Sequence, residues 1–262
     1  MAEHSAIQPG VPFKVGLKMN HAAGQHTYWK HPGIVGVPTK LDWKLPKGFV
    51  AGEIEWPRPE LTMMAIYPVY GYENQILLPV TITPPASLDP KTDREVTLEA
   101  AASWMCCGKT CHPGFTTVNI TLPTVGKEEK LEPTAARPLF IEAREALPLK
   151  TDAWNVTAST VDGKVIAQVV PASGGPANLE ILKTSAADVY FFSSDGLIDS
   201  RATQEISDLP GAVGFRIILS VSEHAPEFPK DGGRLEGVLS AKIPWISGTA
   251  PTAIEINVPL QR

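Results

Sequence analysis

Cys106, Cys107 and Cys111 are the chain's three cysteines, and they fall within six residues of one another in the run Trp104-Met-Cys-Cys-Gly-Lys-Thr-Cys-His-Pro113. Structural cysteines of small secreted domains are spread out, because they staple distant strands. A clustered trio points instead to redox or soft-metal chemistry. Thiol–disulfide exchange needs one thiolate that attacks and a second thiol that resolves the mixed disulfide. A Cys-x-x-x-Cys spacing places two Cα atoms within the roughly 4.4–6.8 Å that a disulfide requires if the intervening loop turns. Two pairs are open, Cys107 with Cys111 and Cys106 with Cys111, and spacing favours the first. Neighbouring residues of an extended chain point to opposite faces, so Cys106 and Cys107 do not both face Cys111. Cys106 then reads as an odd thiol, free to be a small buried apolar side chain.

The flanking residues suit the same chemistry. Gly108 tolerates a positive φ and so gives the loop freedom to turn. Lys109 places a cation where it favours a thiolate, and His112 offers the same or an acid–base partner. Pro113 fixes the backbone directly after the pair. Trp104 is expected as a buried anchor with its N–H satisfied. The competing reading is a Cu(I) site built from Cys106, Cys107, Cys111 and His112, all soft or borderline ligands. Structural zinc fits less well, because it usually takes two spaced ligand pairs and no second pair exists. A third reading is a sandwich that binds partners without catalysis.

Other candidates carry less. His21, His26 and His31 recur at a spacing of five, which aligns them on no helix or strand face, so surface or capping roles are expected. Met63 and Met64 read as core. The chain has no phosphate-cradling glycine loop, no Gly-x-Ser-x-Gly and no His-Glu-x-x-His. Its net charge of −5 leaves no basic stripe to neutralise nucleic-acid phosphates. No apolar run of about 20 residues is present to span a membrane. The start, Met1-Ala-Glu-His-Ser5, is polar and is no secretory leader. The expectation is a cytosolic protein or one whose leader has been removed.

The elements that must position the cysteines are strands. The chain has 25 Pro and 21 Gly in 262 residues, with 43 % hydrophobic and 19 % charged side chains, which suits short strands joined by turns around a packed core. Apolar–polar alternation marks strands near 11–22, 41–46, 53–57, 75–82, 96–104 and 115–122. The cysteine run is expected as a connection or irregular edge between the last two. Residues 26–48 read as loop-rich, and 123–136 as a charged linker. Pro138–Leu147 is the one helix expected. Beyond it, Asp162-Gly163 joins two alternating runs as a hairpin. Further strands fall near 189–192, 214–221, 235–243 and 253–258. The pattern predicts a mainly β chain of two tandem sandwiches: residues 1–125 with the cysteines, a linker with one short helix at 126–150, and a second sandwich at 151–262.

Several segments resemble a known family in order and content. They are His26-Thr-Tyr-Trp-Lys-His-Pro-Gly33, Gly36-Val-Pro-Thr-Lys-Leu-Asp-Trp43, Leu45-Pro-Lys-Gly-Phe49, Trp56-Pro-Arg-Pro59, Tyr70-Gly-Tyr-Glu73 and Trp104–Gly114. They are similar to the N-terminal periplasmic region of the DsbD-like transmembrane thiol:disulfide interchange proteins, and most of all to the branch linked to suppression of copper sensitivity. The likeness is specific over residues 10–122. Beyond 150 it is looser, carried by Phe191-Phe192 and Gly237-Val-Leu239.

The resemblance implies an immunoglobulin-like, periplasmic module with no cofactor beyond a redox-active disulfide. It implies electron transfer from a membrane-embedded reductase domain to periplasmic thioredoxin-fold or other disulfide proteins. It places the branch's Cys-x-x-x-Cys on Cys107 and Cys111, and analogy with compact exchange modules leans to Cys111 as the partner-facing thiol. Cys106 departs from the family pattern. The chain is expected to be either excised from a larger membrane protein or a stand-alone relative. Tyr28, Trp29, Tyr70 and Tyr72 are candidates for an aromatic cover over the pair, with ordinary core packing as the alternative.

Overall fold

The computed structural model describes residues 1–183, 188–225 and 233–261. Among them are sixteen strands, one α-helix and one 3₁₀ turn, the mainly β, two-sandwich architecture expected from the sequence. Two compact units form, and they interleave along the chain. Residues 1–29, 37–57 and 71–145 make the first; residues 30–36, 58–70 and 146–262 make the second. The helix, expected in a linker, clusters with the first unit. Residues 30–36 and 58–70, expected in the first domain, cluster with the second.

In the first unit, β7 (Gln75–Thr83) is flanked by β1 (Phe13–Asn20) and β4 (Val50–Ile54). Its second sheet is built on β8 (Glu95–Cys107). One edge of β8 is taken along its length by β9 (Cys111–Pro123); the other pairs with β3 (Lys40–Lys44) and with the first residue of β2 (His26–Gly33). Along β8, Val96, Leu98, Ala100 and Ala102 turn inward, and the residues between them are exposed or half-buried. With Val15, Val80, Ile82 and Leu122 they enclose the core of this unit. The strand at β2 overturns the loop-rich reading of residues 26–48: its Tyr-Trp run is buried on both faces and so shows no period of two.

The helix α1 (Arg137–Glu145) is short and holds by packing, as a nine-residue helix must. Phe140 and Ala143 press on Leu77, and Arg144 donates to the buried Glu3 carboxylate at 2.9 and 3.1 Å. Just ahead of it, Thr134 Oγ1 accepts from the Ala136 amide at 3.1 Å, a capping arrangement.

The second unit contains a seven-stranded sheet in the order β12 (Val189–Ser193), β15 (Arg234–Ala241), β16 (Ala253–Gln261), β10 (Trp154–Val161), β11 (Lys164–Pro171), β14 (Phe215–Ser220) and β13 (Glu205–Asp208). The expected β10–β11 hairpin is present: Val161 faces Lys164, and Asp162 and Gly163 take φ of 48° and 73°. Trp154 and Trp245 meet edge to face in the core at 5.3 Å, and Trp154 Nε1 donates to the Trp245 carbonyl at 2.8 Å. Strand β5 (Glu60–Met64) pairs with β6 (Tyr67–Glu73). Met63 there is 53 % exposed, which corrects the reading of this methionine as core. No helix among the described residues is long and apolar enough to cross a membrane.

Candidate functional site

The cysteine segment is no irregular connection. The β8–β9 ladder runs unbroken from Glu95 opposite Pro123 to Cys107 opposite Cys111, so the cysteines close the tip of a hairpin. Three residues, Gly108 to Thr110, make the turn, and the Gly108 amide donates to the Thr110 carbonyl at 3.0 Å. Cys107 and Cys111 face each other directly across the ladder and form a disulfide with Cα atoms 4.1 Å apart, just under the expected window.

The two cysteines differ in exposure. Cys107 is 0 % exposed, whereas Cys111 lies in a fully exposed run with His112 and Pro113. Register places Cys107, Met105, Cys111, Pro113 and Phe115 on one face of the hairpin. Cys106, Trp104, His112 and Gly114 lie on the other. The period-of-two argument that separated Cys106 from the pair therefore holds. The four soft residues Cys106, Cys107, Cys111 and His112 are divided between two faces and form no single donor set for Cu(I). Among the described residues, no group of three or more His, Cys, Asp or Glu side chains is arranged to hold a metal.

Cys106 is half-buried and donates its S–H to Gln25 Oε1 at 3.4 Å. Burial pushes its thiol above the ordinary range, which keeps it protonated and a poor nucleophile at neutral pH.

Two glycines do work that the sequence does not announce. Gly108 has no positive φ, contrary to the turn-freedom reading; a Cβ there would lie 2.6 Å from the Gly24 carbonyl oxygen. It is needed for close approach of backbone to backbone. At Gly114 a Cβ would lie 2.2 Å from Trp104 Cε2, so the indole lies across the strand where a side chain would stand. Trp104 is half-buried and anchors the hairpin by this contact. Lys109 is exposed, and His112 Nε2 is engaged by Thr110 Oγ1 at 2.8 Å.

The residue that sequence reasoning misplaced is His26. It stands opposite Cys107 in the β2–β8 pairing and is 1 % exposed, with no hydrogen-bond partner at Nε2. Burial lowers its pKa, against an opposing pull from Glu73. The surface or capping role expected for it is overturned, and nothing local in the sequence signals the burial.

The four aromatic candidates divide. Tyr28 and Trp29 are buried; the Tyr28 ring meets His26 edge-on at 5.0 Å, and its phenol is pushed up by burial and, in alkali, by the Cys106 thiolate. Tyr72 donates to the Pro57 carbonyl at 2.7 Å. Tyr70 belongs to the second unit, where it packs on Tyr190 and Phe192 at 6.2 and 5.0 Å. Tyr70 and Tyr72 are thus core residues in their own units.

A β-sandwich bearing a cross-strand disulfide at a hairpin tip, one cysteine exposed and one enclosed, has the form of a domain built around a cysteine pair. Residues 1–123, just under half the chain, match the family described as thiol:disulfide interchange protein DsbD, N-terminal, which bears out the resemblance read from the sequence. The structure is similar to the crystal structure of the N-terminal periplasmic domain of ScsB from Proteus mirabilis, with a TM-score of 0.66, 15 % identity, and coverage of 97 % of this chain and 91 % of that one. That likeness shows a common fold across both units. No curated protein sequence matches the chain.

Proposed function

We propose that the chain is a periplasmic thiol–disulfide exchange module that works through Cys107 and Cys111 without a metal or organic cofactor. The observation that carries this is the asymmetric disulfide: Cys111 is an exposed residue at a strand end while Cys107 is enclosed. A partner sulfur must approach along the S–S axis, which favours attack at the cysteine that lies at the surface, Cys111.

In the reduced protein, the Cys111 thiolate attacks a partner disulfide. A Cys111–partner S–S bond forms, the partner's own S–S bond breaks, and the departing sulfur leaves as a thiolate that takes up a proton. Cys107 then gives up its proton and attacks Cys111 Sγ. The intramolecular disulfide closes and the partner's second sulfur leaves. Two electrons have passed to the partner. The family match supports a membrane-embedded reductase domain as donor and periplasmic disulfide proteins as acceptors, in the copper-tolerance setting of the branch named above. Cys106, protonated and on the opposite face, stays outside the cycle.

The test is a trapping experiment. Cys107→Ser leaves Cys111 unable to be resolved, so incubation with oxidised glutathione should accumulate a stable mixed disulfide at Cys111. If Cys111→Ser accumulates as much adduct at Cys107 as Cys107→Ser does at Cys111, the assignment of roles is wrong.

A further inference from the structure

Strand β9 is a long edge. Among the described residues it pairs with β8 alone from Cys111 to Leu122, and the opposite edge makes no backbone hydrogen bond until Pro123 meets Ile7. Exposed edges are normally guarded by charge, most often lysine. This one carries no charge: from Pro113 to Gly126 the sequence has no charged residue, and Pro113, which lacks an N–H, is the edge's one blunt point between Cys111 and Thr117. On the Cys111 face, Pro113, Phe115, Thr117 and Asn119 are all exposed, and Phe115 is open to 76 %, four residues from the cysteine. An aromatic ring so exposed is a characteristic anchor of a binding surface.

We propose that the outer edge of β9 is the docking surface for the redox partner, which lays the extended segment carrying its reactive cysteine alongside Cys111–Thr117 as an added strand, with Phe115 as apolar anchor. This rests on the exchange reading above and adds how the partner is recognised. The identity of the occupant follows from covalent geometry. A mixed disulfide at Cys111 holds the partner's Cα within about 4.4–6.8 Å. A strand added to an edge places the residue directly opposite at about 4.5–5.5 Å, with its side chain on the same face. The partner's cysteine can therefore occupy, on the outer edge, the position that Cys107 holds on the inner one. Its attack on Cys111 Sγ expels Cys107 as a thiolate that takes up a proton, and the new S–S bond replaces the old between mirror-related neighbours. The recognised chemistry is an uncharged, strand-forming segment with a central thiol or disulfide.

The experiment uses the oxidised full chain and three thiol probes: reduced glutathione, a nine-residue peptide of alternating Val and Thr with a central cysteine, and the same peptide with proline on either side of the cysteine. Formation of the mixed disulfide is timed by mass spectrometry. The strand-forming peptide should react at least about tenfold faster than the proline peptide, since two or more ladder bonds are at stake. Phe115→Asp and, separately, Thr117→Lys should remove that advantage and leave the glutathione rate unchanged. Both positions are exposed, and circular dichroism verifies the fold of each variant. Equal rates for the two peptides, or variants that slow all three probes alike, would overturn the docking surface while leaving exchange intact. Failure of every probe to react overturns both. A wild-type chain that dimerises through this edge, becomes monomeric on Thr117→Lys and shows no peptide preference would assign the edge to a second copy and overturn the proposal.

Discussion

Two hairpins, one in each unit, show how similar local designs serve different ends. The β10–β11 hairpin turns through Asp162-Gly163 with both residues at positive φ, and each strand has a further neighbour, β16 on one side and β14 on the other. Its tip is plain and its ladder is enclosed within a sheet. The β8–β9 hairpin is longer, turns through three residues, closes its tip with a disulfide and, among the described residues, leaves the outer edge of β9 unpaired from Cys111 to Leu122. A hairpin serves structure when both edges are paired. The proposed site lies where one edge and the tip are unpaired.

The largest expected difference between the two is in exchange chemistry. Replacing Cys107 or Cys111 by serine should abolish catalysed disulfide exchange with a protein substrate, a loss of at least about a hundredfold, because the first change removes the resolving thiol and the second the attacking one. Gly163→Val at the other tip should leave that rate within about twofold. Equal losses in an insulin-reduction assay would erase the distinction.

A smaller effect, on stability, separates the two glycine requirements. Gly114→Ala forces a methyl group into the Trp104 indole and should cost about 2–3 kcal/mol as overpacking. Gly163→Ala meets no atom within 4 Å and has only its φ of 73° to contend with, so about 1 kcal/mol is expected. Urea unfolding measures both; a costlier change at Gly163 would reverse the comparison.

Acid should touch both units. Burial holds His21 and His26 in the first unit and His31 in the second below their ordinary value near 6.5. Between that value and their lower folded ones, the unfolded chain binds more protons than the folded chain. Stability is therefore full above about pH 7 and declines as pH falls through about 6.5. The urea midpoint should drop between pH 7.5 and 5.5, and His26→Gln should flatten part of that drop. A midpoint that rises toward pH 5.5 contradicts the burial account. The smallest effect belongs to Cys106→Ala, which removes a protonated thiol on the opposite face and should change exchange by less than about twofold.

How much of this was legible follows from what is local. Asp162-Gly163 was readable because a two-residue turn writes its φ requirements into two adjacent residues. The alternation of residues 96–104 and 115–122 was readable because one face of that sheet is solvated. The separation of Cys106 from Cys107 followed from the same period of two. What stayed hidden depends on contacts between segments distant in sequence. Gly108 looks like a turn glycine and is needed because Gly24 passes against it. The strand beginning at His26 is masked by its Lys-His-Pro-Gly ending and by burial on both faces. His26 itself is placed beside Cys107 by a pairing of residues far apart in the chain.

The most direct test of the central claim is to equilibrate the protein across a series of glutathione redox buffers, alkylate, and map the three cysteines by mass spectrometry. With acid quenching and alkylation of the unfolded chain, the account predicts a single two-electron transition in which Cys107 and Cys111 become alkylated together, with Cys106 alkylated at every potential. A disulfide involving Cys106, or Cys107 and Cys111 that never pair, would contradict it.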